Sequence, residues 1–275
     1  MDLTREALRA GHAPAKPTAG PRPVVLVAGG GGPLGSEVVE RLLGSRAFAA
    51  VQVLAVQPFT ATAPGLEAVP LSSLDDPAAG AAPLAVVIFD RARHANGRDA
   101  AFWRPLPHDL PSLASRWHAQ GVQHLVVVLP HQAASLPDAL KAGLANLDEQ
   151  AVAALGLRHV VFVRSAQAPD AARSASGLQR LADLVLAQLR LMTPRMQQPV
   201  RAKKVAQLVA ALARGLPESA PGTRVMAPEV VWQCAQEADP EPLVRRWLAG
   251  EPLPPPSRPR VGIRGIETPS KHADD

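Results

Sequence analysis

The chain has 275 residues, 47% of them hydrophobic, enough to bury a full core as one large domain or as one domain with a small appendage. Its 29 Lys and Arg against 24 Asp and Glu give a formal charge of +5, but the basic residues are spread out and only five Phe, four Trp and no Tyr are present, which argues against a nucleic-acid partner. The single cysteine, Cys234, excludes an intrachain disulfide, no Cys/His zinc spacing occurs, and no run approaches the ~20 apolar residues of a membrane span, so a reducing, cytoplasmic setting is expected.

Residues 1–22 carry Asp2, Arg5, Glu6, Arg9 and Lys16 among several prolines, which predicts a flexible N-terminal segment and no signal peptide. Val24 to Leu43 then read VVLVAGGGGPLGSEVVERLL, an apolar strand, a glycine cluster and an amphipathic helix. Gly29, Gly32 and Gly35 fall in the spacing GxxGxxG, which lets the turn take backbone angles closed to other residues and lets the main chain approach a phosphate closely. Pro33 suits a first helical turn, where its missing N–H costs nothing. The amides near Leu34, at the positive end of the helix dipole, are expected to form an open seat for a dinucleotide pyrophosphate. Glycines also mark plain turns, so a structural turn beside an empty pocket is the competing reading.

Further strands are predicted at Val51–Val56, Ala85–Phe89, His124–Leu129 and His159–Val163, all apolar on both faces as in a parallel sheet covered by helices. Helices are predicted at Gly35–Leu43, Asp109–Gln120, Leu136–Leu155, Gly177–Arg190, Lys203–Arg214 and Pro228–Glu237. The alternation of strand and helix implies an α/β, doubly wound parallel sheet. It is expected to span residues 23–250, with a small C-terminal lobe for substrate at about 166–240. The tail after Gly250, EPLPPPSRPRVGIRGIETPSKHADD, holds too much proline and too little apolar content to fold by itself, so it is expected to be disordered or draped on the body.

The glycine spacing, the order of strands and the stretch His159-Val-Val-Phe-Val-Arg164-Ser165 together resemble the atypical short-chain dehydrogenase/reductase superfamily, in particular its NmrA-like members. The family commonly has an Arg-Pro pair at the end of that strand; Arg164 matches and Ser165 replaces the proline. Gln198-Pro-Val-Arg-Ala-Lys-Lys-Val-Ala206 is similar to the family stretch that leads into a late helix. The resemblance covers roughly residues 22 to 240 and implies a Rossmann fold with NAD or NADP lying across the carboxyl ends of the strands. Active members use a Tyr-x-x-x-Lys pair to move the substrate proton, with a serine nearby. Lys141 and Ala145 fall where the tyrosine and lysine would stand, and the nearest serine after Val128-Leu129-Pro130-His131 is Ser135. His131 is then the one residue near that position able to serve as an acid.

At the cofactor-selecting position the second predicted strand ends Ala55-Val56-Gln57-Pro58. Gln57 can bond a ribose hydroxyl but cannot neutralise a 2′-phosphate, which favours NAD over NADP. Asp90 is expected near the cofactor, where its charge would repel pyrophosphate unless Arg91 or Arg93 screens it, or else as a cap on the following loop. The expected cofactor-binding set is therefore Gly29, Gly32, Pro33, Leu34, Gly35, Gln57 and Asp90, with no catalytic or metal-ligating residue assigned. The resemblance implies a cofactor-sensing or regulatory protein, with a protein partner as a further expectation; the alternatives are a reductase or isomerase using His131 or water, and a scaffold that has lost its cofactor.

Overall fold

A computed structural model describes residues 22–76, 82–90, 99–131, 147–166 and 200–255. Among them are seven strands, β1 (Val24–Ala28), β2 (Ala50–Ala55), β3 (Leu66–Pro70), β4 (Leu84–Ile88), β5 (His124–His131), β6 (His159–Ala166) and β7 (Gly222–Met226). They form one sheet in the order β3-β2-β1-β4-β5-β6-β7, with every neighbouring pair parallel. Six α-helices are described: α1 (Gly32–Gly44), α2 (Leu110–Ala119), α3 (Leu147–Ala153), α4 (Ala202–Gly215), α5 (Pro228–Gln236) and α6 (Glu241–Leu248).

Because side chains alternate across a strand, each strand feeds two separate cores. Val25, Val27, Val53, Val86, Ile88, Val126 and Val161 pack with α1, α4, α5 and α6. Leu26, Ala28, Leu54, Ala85, Val87, Leu125 and Phe162 face Leu110, Leu113 and Trp117 of α2 and Val152 of α3 on the other side. The result is the doubly wound α/β sandwich the alternation predicts. The strand order reverses beside β1, whose neighbours are β2 and β4, and in open sheets of this kind ligands bind at the carboxyl edge of such a reversal.

The five strands and the helices α1, α2, α4 and α5 lie within a few residues of their expected positions, while β3, β7 and α6 are additions. Helix α1 starts at Gly32, three residues earlier than expected, so Pro33 and Leu34 belong to its first turn. The stretch from Ala202 to Leu248, part of which the sequence assigns to a substrate lobe, packs on the sheet itself: α4 lies against α1 and α6, and β7 extends the sheet beside β6. The expected helix Gly177–Arg190, most of Leu136–Leu155, the N-terminal 21 residues and the tail from residue 256 lie outside the described residues. The first tail residues are draped on the body, with Gln233 Nε2 donating to the Pro254 carbonyl and Arg246 Nη2 donating to that of Pro252 at 2.9 Å. No helix among the described residues is long and apolar enough to cross a membrane.

Candidate functional site

The turn after β1 has the backbone that the glycine spacing requires. Gly29 and Gly32 sit at φ +83° and +81°, a region that other residues seldom enter. A Cβ on Gly29 would lie 2.1 Å from the Ile88 carbonyl oxygen, so the turn is pressed against the end of β4. A Cβ on Gly35 would lie 2.1 Å from the Gly29 carbonyl oxygen, so the first turn of α1 is stacked directly on the loop that precedes it. Pro33 is exposed in that turn, and the Leu34 side chain is buried beneath it.

The Leu34 amide does not face an open seat. It donates a hydrogen bond of 2.7 Å to Oδ2 of Asp90, across 56 residues of sequence. Strand β4 pairs with β1 in register Ala28↔Val87, so Asp90, two residues past β4, reaches the turn that follows β1. The first turn of a helix carries donors without intrahelical partners and the positive end of the dipole, and Pro33 removes one donor from the set. The Asp90 carboxylate satisfies the Leu34 donor. The expected vacancy at Leu34 is therefore corrected: its amide is taken by Asp90, which caps the first turn of α1 where the sequence reading left it either beside the cofactor or capping the following loop. Gly32 makes room for it, since a Cβ there would stand 2.8 Å from the same Oδ2.

A second piece of chain lies on the carboxyl edge. Trp103 N–H donates to the Leu54 carbonyl at 2.9 Å, Val56 N–H to that of Ala101 at 2.8 Å, and Gly29 N–H to that of Trp103 at 3.2 Å. Residues 101–103 thus run antiparallel to the end of β2, bridged through Ala55 and Phe102, and reach over to the glycine turn. The Phe102 ring packs edge-on against Phe59, centroids 5.0 Å apart, and lies 3.5 Å from where a Cβ on Gly30 would stand. Gln57, two residues past β2, is exposed beside this strap. Sequence reasoning missed the strap; its one signal was the aromatic pair Phe102-Trp103, between the predicted strand Ala85–Phe89 and the predicted helix Asp109–Gln120.

At the ends of β5 and β6, Arg164 is buried and its Nη2 donates to Glu149 Oε2 of α3 at 2.9 Å. A buried guanidinium needs such a counter-charge, so this residue, matched to the family's Arg-Pro pair, anchors α3 to the sheet. Ser165 is paired in register with Pro130, and its hydroxyl is buried without a hydrogen-bond partner among the described residues. His131 is the last residue of β5, while its side chain, together with Arg91, Arg93, Ser135, Lys141 and Ala145, lies outside the described residues.

The groups with shifted titration lie elsewhere. His124 and His159, buried at the amino ends of β5 and β6, approach to 2.7 Å between their Nδ1 atoms. His159 Nε2 is 3.1 Å from the Ser219 carbonyl, which only accepts, so that nitrogen carries the proton and His124 Nδ1 donates to His159 Nδ1. Burial, with His159 and Arg158 nearby, lowers the His124 pKa to about 4. Burial also pushes the Cys234 thiol up to about 12, which leaves it a packed helix residue and not a nucleophile. No group of three or more metal-ligating side chains occurs among the described residues.

No family model and no curated protein matches the chain. Solved structures do. One is a Rossmann-fold NAD(P)-binding family protein from Shigella flexneri, 16% identical over 74% of this chain and 92% of its own, with a TM-score of 0.44. Uronate dehydrogenase from Agrobacterium tumefaciens is 14% identical over 86% of this chain and 92% of its own, with a TM-score of 0.45. The Bordetella bronchiseptica enzyme WbmG in complex with NAD is 15% identical over 80% and 79%, with a TM-score of 0.41. The doubly wound assignment rests on the strand order described above.

Proposed function

We propose that the chain binds a nicotinamide dinucleotide at the turn after β1 and acts as a cofactor-responsive regulatory protein in the cytoplasm, without the proton relay of short-chain reductases. The observation that carries this reading is the GxxGxxG turn, with positive φ at Gly29 and Gly32, in a sequence that has no tyrosine. Gly29, Gly30, Gly32 and Gly35 each leave no room for a side chain, so the main chain itself lines the turn. The diphosphate would lie on the Leu34 amide and the backbone of Gly29 to Gly32, at the positive end of α1. Gln57 would accept or donate to an adenosine ribose hydroxyl. No Lys or Arg stands between Val56 and Leu66 to meet a 2′-phosphate, which favours NAD over NADP. The bound cofactor supplies hydride chemistry in enzymes of this architecture, and the tyrosine that gives the proton in short-chain reductases is what this sequence lacks.

A second reading, a scaffold that takes no cofactor, is favoured by the Asp90 cap and by the strap at residues 101–103. Fluorescence titration with NADH and NADPH, on the wild type and on Gly32→Trp, separates the two. The proposal expects NADH binding that weakens by about tenfold or more in the variant, whose side chain would stand on Asp90 at a strained φ. Failure of both nucleotides to bind leaves the scaffold. Oxidation of NADH with quinones, aldehydes or ketones that disappears in His131→Ala would overturn the non-catalytic part.

A further inference from the structure

We propose that Asp90 is an internal competitor for the diphosphate, so that a dinucleotide binds when this carboxylate leaves the Leu34 amide. The inference rests on the dinucleotide reading above and adds its regulation. Three observations combine. Oδ2 of Asp90 holds the Leu34 N–H at 2.7 Å, and Pro33 beside it has no N–H to offer a second anion. The carboxylate reaches this point over Gly32, whose missing Cβ would otherwise stand 2.8 Å from it, so the residue that opens a phosphate cradle also admits the internal anion. The same edge is covered on its β2 side by Trp103, whose carbonyl takes the Gly29 N–H, and by Phe102 against Gly30. The chain thus presents a carboxylate and a main-chain carbonyl to the amides that a ligand's phosphate and hydroxyl oxygens would use.

Like charges cannot share one donor, so ligand and carboxylate exclude each other. The apparent affinity of such a site is the intrinsic affinity scaled by the fraction of molecules with the seat open. A seat closed nine-tenths of the time therefore binds about tenfold more weakly than an open one. The device makes occupancy respond to whatever shifts Asp90, which is what a sensor requires.

The test is NADH titration of the wild type, Asp90→Ala and Asp90→Asn, with hydrogen exchange of the Leu34 amide measured in each. Asn keeps an acceptor but not the charge. The proposal expects affinity to rise by about tenfold or more in Asp90→Ala and by less in Asp90→Asn, with faster Leu34 exchange in both and renewed protection when NADH is bound. Equal affinities in all three proteins would overturn the competition while leaving dinucleotide binding intact. Weaker binding in both variants would make Asp90 a support for the cofactor and overturn it as well. No binding in any of the three, with Leu34 exchange raised, would remove this inference and the dinucleotide reading together.

Discussion

His124 and His159 show how a pair of buried rings sets the response of the molecule to acid. In the folded state His124 stays neutral down to about pH 4, whereas in the unfolded chain it takes a proton near 6.5. Between these values the unfolded state holds more protons than the folded one, so stability falls as pH falls through this window and is unaffected above it. The full shift corresponds to roughly 3 kcal/mol at 1.36 kcal/mol per pKa unit. The charged groups nearest the pair are Arg158 and Arg224, both of which oppose protonation of His159, whose pKa burial lowers too. Urea unfolding between pH 6.5 and 5, above the range where ordinary carboxylates protonate, should show a steady loss of stability that is shallower in His124→Gln. A flat profile in the wild type would show that the rings accept a proton in place. The positions of both residues at strand starts are plain in the sequence, but their contact is not: it depends on β5 and β6 being paired with His124 opposite His159.

At the scale of the elements, the strands that were legible are the ones covered on both faces. Val24–Ala28, Leu84–Ile88 and the first residues of β5 are almost wholly buried, and their unbroken Val, Leu and Ile runs announce it. Strands β3 and β7 were hidden because they are the two edges of the sheet. β3 contains exposed Glu67 and ends on Pro70, and β7 opens on exposed Gly222 and Thr223, so neither has an apolar run. Helix α6 had a signal that the sequence reading passed over: Leu243, Val244, Trp247 and Leu248 recur on one face of Glu241–Leu248. Glu241 joins this helix to α4 through Arg214 Nη2, and the bond with Arg214 holds its carboxyl below the usual range. Helix α2 packs through Leu110, Leu113, Ala114 and Trp117, the last with its indole N–H unpartnered among the described residues. Trp117→Phe therefore removes an unsatisfied donor along with some volume and should cost less than about 1.5 kcal/mol, against about 3–5 kcal/mol for Trp117→Ala. Equilibrium unfolding of the two variants checks this; equal losses would mean that the indole N–H is bonded in solution.

For the whole molecule, the topology decides what the glycine turn becomes. The sequence made the turn and the helix after it visible, and it placed Asp90 in their neighbourhood through the expected strand order. It did not show that the carboxylate caps α1, because that depends on the Ala28↔Val87 register and on Gly32 leaving a gap of the right size. Nor did it show residues 101–103 lying over the ends of β1 and β2: the aromatic pair Phe102-Trp103 marks the segment, but the backbone hydrogen bonds that hold it carry no residue signature. The reversal of strand order at β1 brings all of these parts to one edge: Gly29 and Leu34 from the turn, Asp90 from the end of β4, and Trp103 from the strap. The site is accordingly a glycine turn of the kind proposed to cradle a phosphate and a self-capped helix in its contacts. Which of the two prevails depends on whether an anion outside the chain outcompetes the one within it.

A crystal structure of the wild-type protein soaked with saturating NADH decides this most directly. The account predicts diphosphate oxygen within hydrogen-bonding distance of the Leu34 nitrogen and the Asp90 carboxylate swung away from it. Crystals in which Asp90 Oδ2 still holds that nitrogen at 2.7 Å and no nucleotide lies on the turn would contradict it.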